Sequence, residues 1–357
     1  MQHQVTSQAP GLAPARLLGL ATAVPPFVLR QDQVAEAAAR LFAGSAEERE
    51  RLLGIYRNTG IETRHSVVPL DWYLEPHGFA ERNALFLRHA TQLAAEAASA
   101  ALAKAGLEAR EVDALVSVSS TGIATPALDA RLLARLPLRA DLLRVPVFGL
   151  GCAGGVLGLA RAADLALARP GRKVLLVVVE LCGLTFRLSD RSRRNVVATA
   201  LFGDGAAAAL LSTQGSGPAL IASGEHTWPN SLDIMGWDVG ADGLGVIFTR
   251  AIPGFVRAHF RPVLDRFLAA SGLTLADIDA LACHPGGARV LDALADCLGA
   301  PAAALDPSRR VLARFGNMSA PTALFVLAEL LERAPCRCLL SALGPGFSAA
   351  FALLERQ

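Results

Sequence analysis

A chain that contains two copies of one pattern is confined to folds with an internal twofold relation, and this sequence repeats itself. Gly106-Leu107, four residues and then Val112-Asp113-Ala114-Leu115 return 166 residues later as Gly272-Leu273, four residues and Ile278-Asp279-Ala280-Leu281. Gly151-Cys152, ahead of an apolar helix, is answered 165 residues on by Gly316-Asn317. Arg172 before the strand Val174 to Val179 is answered at the same offset by Arg337 before Cys338 to Leu340. The run Gly205 to Leu211 matches Gly346 to Leu354 at an offset of only 141, so the first copy carries 24 extra residues, about Leu181 to Asp204. One such match is easily accidental in a chain rich in Ala and Leu; four in order are not.

Each copy reads strand, helix, strand around a buried helix. The strands are continuously apolar and not alternating, as when helices cover both faces of a sheet. Ala153 to Ala168, with Gly154, Gly155 and Gly158, and Met318 to Leu331 are apolar on nearly every side, which places both helices between layers. The pattern predicts a duplicated five-layer α/β fold whose two central helices meet near a pseudo-twofold axis. Residues 15–214 form the first half, 215–357 the second and 1–14 a flexible tail. Outside the repeat, helices are predicted over Gln31 to Phe42, from Ser45 with its Ser-Ala-Glu-Glu start, and over about Ala80 to Ala105, ending at Gly106.

Several functions are disfavoured by composition. Net charge is +2 with scattered arginines, so no nucleic acid partner is expected. No window reaches the ~18 apolar residues of a membrane span, and the N-terminus lacks a secretory pattern, so a cytoplasmic enzyme with no transmembrane segment is expected. The six cysteines lack regular spacing and read as reduced thiols; no metal site is assigned.

The chemistry concentrates at three turns. A strand from Val145 to Leu150 meets the turn Gly151-Cys152, which puts Cys152 at a helix N-terminus, where the dipole favours a thiolate. The strand Ala280 to Cys283 ends at His284-Pro285-Gly286-Gly287, before a helix from Val290 to Leu298, at the sheet edge where open α/β folds place their chemistry. The duplication sets Asn317 opposite Cys152. In this arrangement His284 holds Cys152 as a thiolate in an ion pair, and the thiolate takes an acyl group from a thioester. The Asn317 amide and the His284 N–H then donate to a thioester carbonyl as it becomes an enolate, a donor of this kind being worth ~3 kcal/mol. Decarboxylation of a malonyl thioester fits this donor set, because it needs no base.

At these residues the sequence resembles the type III polyketide synthases of the thiolase fold, which include chalcone synthase-like enzymes. The likeness runs from about Leu17 to Leu354. It rests on Gly151-Cys152-Ala153-Gly154-Gly155, Leu201-Phe202-Gly203-Asp204-Gly205, His284-Pro285-Gly286-Gly287, Gly316-Asn317-Met318-Ser319 and Gly344-Pro345-Gly346. It implies a thiolase-like αβαβα fold, a homodimer, and Cys152, His284 and Asn317 as the catalytic triad. It further implies Phe202 and, near it in role, Phe248 as gates, and Ser120, Thr121, Thr185, Ser319 and the Gly344-Pro345-Gly346 turn at the substrate cavity. Arg51 and Arg57 would meet coenzyme A; acyl-CoA and malonyl-CoA are substrates, and no cofactor is implied. The family's basic residues at the CoA mouth are only partly matched here, with Gly54 and Asn58 at other positions. Thr125 stands where some relatives contribute a methionine across the dimer, and Leu343 where an aromatic residue is common.

The segment Ser231 to Asp238 is similar to bacterial members that make alkylresorcinols and alkylpyrones from fatty acyl-CoA starters. Trp237 and Met235 offer an apolar lining, and the small Gly236 leaves a path beside them. The alternatives left open are a single-condensation β-ketoacyl synthase, a polyketide synthase with a short or aromatic starter, and a non-catalytic acyl-binding protein of the same fold.

Overall fold

The computed structural model describes residues 5–7 and 13–356. Nine strands pair in the order Ala280–Cys283, Arg337–Gly344, Ser348–Glu355, Ala219–Thr227, Ala15–Ala23, Asp204–Ser212, Val174–Leu181, Ala114–Val118 and Leu143–Val147. Read outward from the middle, the two halves have the same order, and the first half adds Leu143–Val147 as an outer strand. Within the sheet, the two halves pair through Ala15 opposite Leu220 and Arg16 opposite Ala219. Val5–Ser7, inside the expected tail, pairs antiparallel with Ala222 to Gly224, on the edge that Ala15–Ala23 leaves free. Residues 1–4 and 8–12 of that segment lie outside the described residues.

The repeated residues make repeated bonds. The Asp113 carboxylate accepts the Lys173 N–H at 2.9 Å, and the Asp279 carboxylate accepts the Arg337 N–H at 2.7 Å, each tying the start of one parallel strand to the next. The extra residues of the first half form the 3-10 turn Cys182–Thr185 and the helix Arg193–Leu201. In the second half Arg337–Gly344 instead turns straight back, pairing Gly344 with Ser348.

Three cores separate the layers. One fills the space between the sheet halves around the helices Gly154–Ala168 and Thr322–Leu331. A second lies under the long helix Phe79–Ala105, and a third under Ile252–Ala269 and Ala288–Leu298. The helical segment Gly151–Ala168 is apolar and long enough to cross a membrane, but it is mostly buried between the sheet halves. The first central helix presses on the start of the second: a Cβ on Gly155 would lie 2.2 Å from the carbonyl oxygen of Ala320, in the turn just ahead of that helix, and 3.5 Å from Leu324 Cγ within it.

Two boundaries differ from the sequence reading. The strand before Cys152 ends at Val147, because Gly149 (φ +92°) and Gly151 (φ +46°) turn the chain. The second central helix starts at Thr322 and not Met318: Ser319 takes φ +58°, Pro321 lacks an N–H to donate, and Thr322 Oγ1 accepts from the Met318 N–H at 3.0 Å.

Candidate active site

The turn carrying Cys152 is built by glycine. Gly151 sits at φ +46° and a Cβ there would lie 2.6 Å from Pro345 Cδ, so the turn presses against the Gly344-Pro345 corner. Cys152 follows in a 3-10 turn, buried, its Sγ 3.5 Å from Ser319 Oγ. The Ser319 N–H donates to Asn317 Oδ1 at 2.8 Å, and Asn317 Nδ2 donates to the Gly286 carbonyl at 3.2 Å. His284 begins that same loop, its N–H held by the Ser341 carbonyl at 2.8 Å. Cys152, His284 and Asn317 therefore line one cavity, of about 2140 Å³ including its open mouth.

Burial decides the charge state. It pushes the Cys152 thiol up to about 11, with Glu180 adding to the rise and the Ser319 and Asn317 side chains opposing it. It holds the His284 imidazole down to about 4. Neither ring nitrogen of His284 has a hydrogen-bond partner among the described residues. Burial thus favours the neutral form of both groups and opposes the ion pair expected from the helix N-terminus. Desolvation, which sequence cannot display, acts against the dipole here.

The mouth of the cavity is basic. Arg51, Arg193, Arg194, Arg250 and Arg289 line it, all exposed and none ion-paired among the described residues, and no Asp or Glu shares the lining. Arg57 does not reach it: its guanidinium pairs with Glu50 on the solvent side of the helix Ala46–Arg57. The cluster at Arg191 to Arg194, inside the 24-residue insertion, was the available signal for two of the arginines that sequence reasoning missed.

The other predicted positions separate into distinct environments. Phe202 lies at the end of the helix Arg193–Leu201, with its ring centroid 6.0 Å from Trp237 and 5.8 Å from Phe248. These three rings stand between the catalytic cavity, which Phe248 lines, and a second apolar cavity of about 760 Å³, which Phe202, Trp237 and Thr185 line. The helix is the partition: Arg193, Arg194, Val197 and Leu201 face one cavity, Asn195, Ala198 and Thr199 the other. Gly236, across the ribbon from Ile247, has only Pro345 Cβ within 4.0 Å of where a side chain would begin.

Ser120 and Thr121 lie off the catalytic cavity's wall because both serve Glu180. The Ser120 N–H and Thr121 Oγ1 donate to its carboxylate at 2.9 Å and 2.6 Å. Ser120 Oγ accepts the Gly151 N–H at 3.2 Å and so steadies the cysteine turn. Gly344 and Pro345 likewise brace that turn, the Gly346 carbonyl accepts from Ser231 Oγ at 2.9 Å, and none of the three lines either cavity. Glu180, fully buried and pushed up to about 7 by that burial, was visible in sequence as the one charge in the strand Val174–Leu181.

A duplicated five-layer α/β fold that gathers Cys, His and Asn around a cavity with a basic mouth defines the condensing enzymes of the thiolase fold. Within that class the chain belongs to the chalcone and stilbene synthases: the family's N-terminal domain matches residues 2–218 and its C-terminal domain residues 220–347. It is a type III polyketide synthase, a decarboxylating condensing acyltransferase. It is 43% identical to the 1,3,6,8-tetrahydroxynaphthalene synthase of Streptomyces peucetius subsp. caesius over 94% of this chain and 91% of that one. It is 32% identical to the alpha-pyrone synthesis polyketide synthase-like Pks18 of Mycobacterium tuberculosis over 97% and 92%. The crystal structure of the 1,3,6,8-tetrahydroxynaphthalene synthase of Streptomyces coelicolor A3(2) superposes with a TM-score of 0.91 at 30% identity, covering 96% of this chain and 99% of that one.

Proposed function

We propose that Cys152 is the acyl acceptor, that His284 and Asn317 drive decarboxylation, and that the starter is a fatty acyl-CoA extended to an alkylpyrone or alkylresorcinol. The observation that carries the catalytic roles is the pair of open, buried ring nitrogens on His284 in the cavity shared by Cys152 and Asn317. The thiol gives its proton to a free imidazole nitrogen as sulfur attacks the acyl carbon. The bond from that carbon to the CoA sulfur breaks, and the departing thiolate takes the proton. Malonyl-CoA then loses CO2, and the electrons of the broken C–C bond become an enolate. Its oxygen is held by the His284 N–H and an Asn317 N–H, both neutral donors. The enolate carbon attacks the acyl carbon on Cys152, the carbon–sulfur bond breaks, and the departing Cys152 thiolate takes a proton from water. Beyond water, the CoA thioesters are the only small molecules this scheme requires.

The exposed mouth arginines suit the CoA phosphates. The second cavity, apolar and divided from the first by the helix Arg193–Leu201 and the three rings at its end, suits the starter's alkyl chain. Outside the site, the outermost strand Leu143–Val147 has an open edge flanked by exposed Phe148 and Ile123, which supports pairing with a second copy as a homodimer. Six free cysteines suit a cytoplasmic setting.

A second reading is favoured by the 43% identity to a tetrahydroxynaphthalene synthase, whose named product bears no alkyl chain: a short starter and a polyhydroxynaphthalene product. Incubation with malonyl-CoA alone and with acyl-CoAs of graded length, followed by mass spectrometry, separates the two. Alkylated products carry the first reading; a product from malonyl-CoA alone that added fatty acyl-CoA leaves unchanged overturns it.

A further inference from the structure

We propose that Arg64 is a positioning residue for the Asn317 carboxamide, acting through the main chain; this rests on the role given to Asn317 above. Arg64 comes from the strand Thr63–Ser66 and is 3% exposed. Its Nη1 donates to the Thr199 carbonyl at 2.6 Å and the Phe202 carbonyl at 3.0 Å, and its Nη2 to the Ala200 carbonyl at 2.9 Å and to Gln31 Oε1. These carbonyls close the partition helix Arg193–Leu201. Terminal carbonyls have no partner inside the helix, and a cation is favoured at that end. Gln31 reinforces the arrangement: its Nε2 donates to the same Ala200 carbonyl at 3.0 Å and to Thr59 Oγ1 at 2.9 Å.

The fastened segment fixes Asn317. The Asn317 N–H donates to the Leu201 carbonyl at 2.8 Å, and the Gly203 N–H donates to the Asn317 carbonyl at 3.0 Å. No slack exists between the two stretches. A Cβ on Gly203 would lie 2.5 Å from the Phe315 carbonyl oxygen, and one on Gly316 2.9 Å from the Leu201 carbonyl oxygen. Both imagined atoms fall within 3.5 Å of Arg64 Cβ, so Arg64 packs against both sides of the seam. Burial lowers its pKa only to about 10, so the guanidinium keeps its charge at neutral pH. Freeing it lets 201–203 drift, and the Asn317 backbone drifts with them.

The test uses Arg64→Lys, which keeps the charge but loses the planar fork, and Gln31→Leu, which removes one anchor of that fork. Acylation of Cys152 by labelled acyl-CoA counts folded sites, and malonyl-CoA decarboxylation is measured per acylatable site. The expected result is a ~10²-fold loss of decarboxylation in Arg64→Lys and a smaller loss in Gln31→Leu, with the acylation rate kept within ~threefold. Wild-type decarboxylation per site in both variants, or acylation and decarboxylation falling in parallel, overturns the proposal. Asn317→Ala run alongside separates the two claims. If it decarboxylates normally, the role of Asn317 fails; if it does not while both other variants do, only the positioning role fails.

Discussion

Gly155→Ala probes the contact that holds the two halves of the duplicated fold together. The new methyl carbon would start 2.2 Å from the Ala320 carbonyl oxygen, against the 3.4 Å or more of an ordinary contact, so the first central helix and the turn that opens the second must part by roughly 1 Å. A backbone oxygen cannot rotate aside as a side chain can. Overpacking of this kind costs ~1–3 kcal/mol, and the displaced stretch runs through Ser319, whose hydroxyl meets the Cys152 sulfur at 3.5 Å. A shift of that size at the reacting groups costs ~10²-fold in rate. Gly254→Ala is the matched control: it lies in the helix Ile252–Ala269 with nothing within 4 Å of the new atom, and alanine there should stabilise by ~1 kcal/mol. Urea melts followed by circular dichroism, paired with malonyl-CoA decarboxylation, read both effects. A Gly155→Ala protein with wild-type stability and turnover would refute the close-contact reasoning.

Three further outcomes follow from the site. Folded His284 stays neutral down to about pH 4, whereas an unfolded imidazole gains its proton near ~6.5. The unfolded state therefore binds more protons in that window, and stability falls as pH drops through it by up to ~3 kcal/mol; urea melts of His284→Gln should show this limb flattened. Replacing Arg193, Arg194 or Arg289 by Ser should raise KM for CoA thioesters ~2–5-fold each, less at high salt, whereas Arg57→Ser leaves KM unchanged. Phe202→Ala, which removes the ring between the cavities, should move the preferred starter to longer acyl chains in competition assays with mixed acyl-CoAs; an unmoved preference contradicts the partition.

The duplication was legible because its markers are local: a glycine ending a helix, an aspartate binding an N–H where the next strand begins, a glycine before each central helix. Cys152, His284 and Asn317 were legible for the same reason, each sitting on a turn that its neighbours spell out. The charge state of the pair was not, since burial of Cys152 and His284 is a property of the packed molecule. Nor was the second cavity, whose walls come from residues as far apart as Leu29, Tyr73, Asn195 and Val246. Arg57 misled because its partner Glu50 lies two turns back on its own helix, a pairing the pattern of basic residues does not reveal. Ser120 and Thr121 were placed at the substrate, but the carboxylate they serve, Glu180, becomes their neighbour only when the strands pair.

Intact-protein mass spectrometry after mixing with an acyl-CoA, in wild type, Cys152→Ala and Asn317→Ala, tests most directly whether the Cys152 sulfur carries the chain. The account predicts one added acyl group in wild type and Asn317→Ala and none in Cys152→Ala. Acylation that persists without the Cys152 thiol would contradict it.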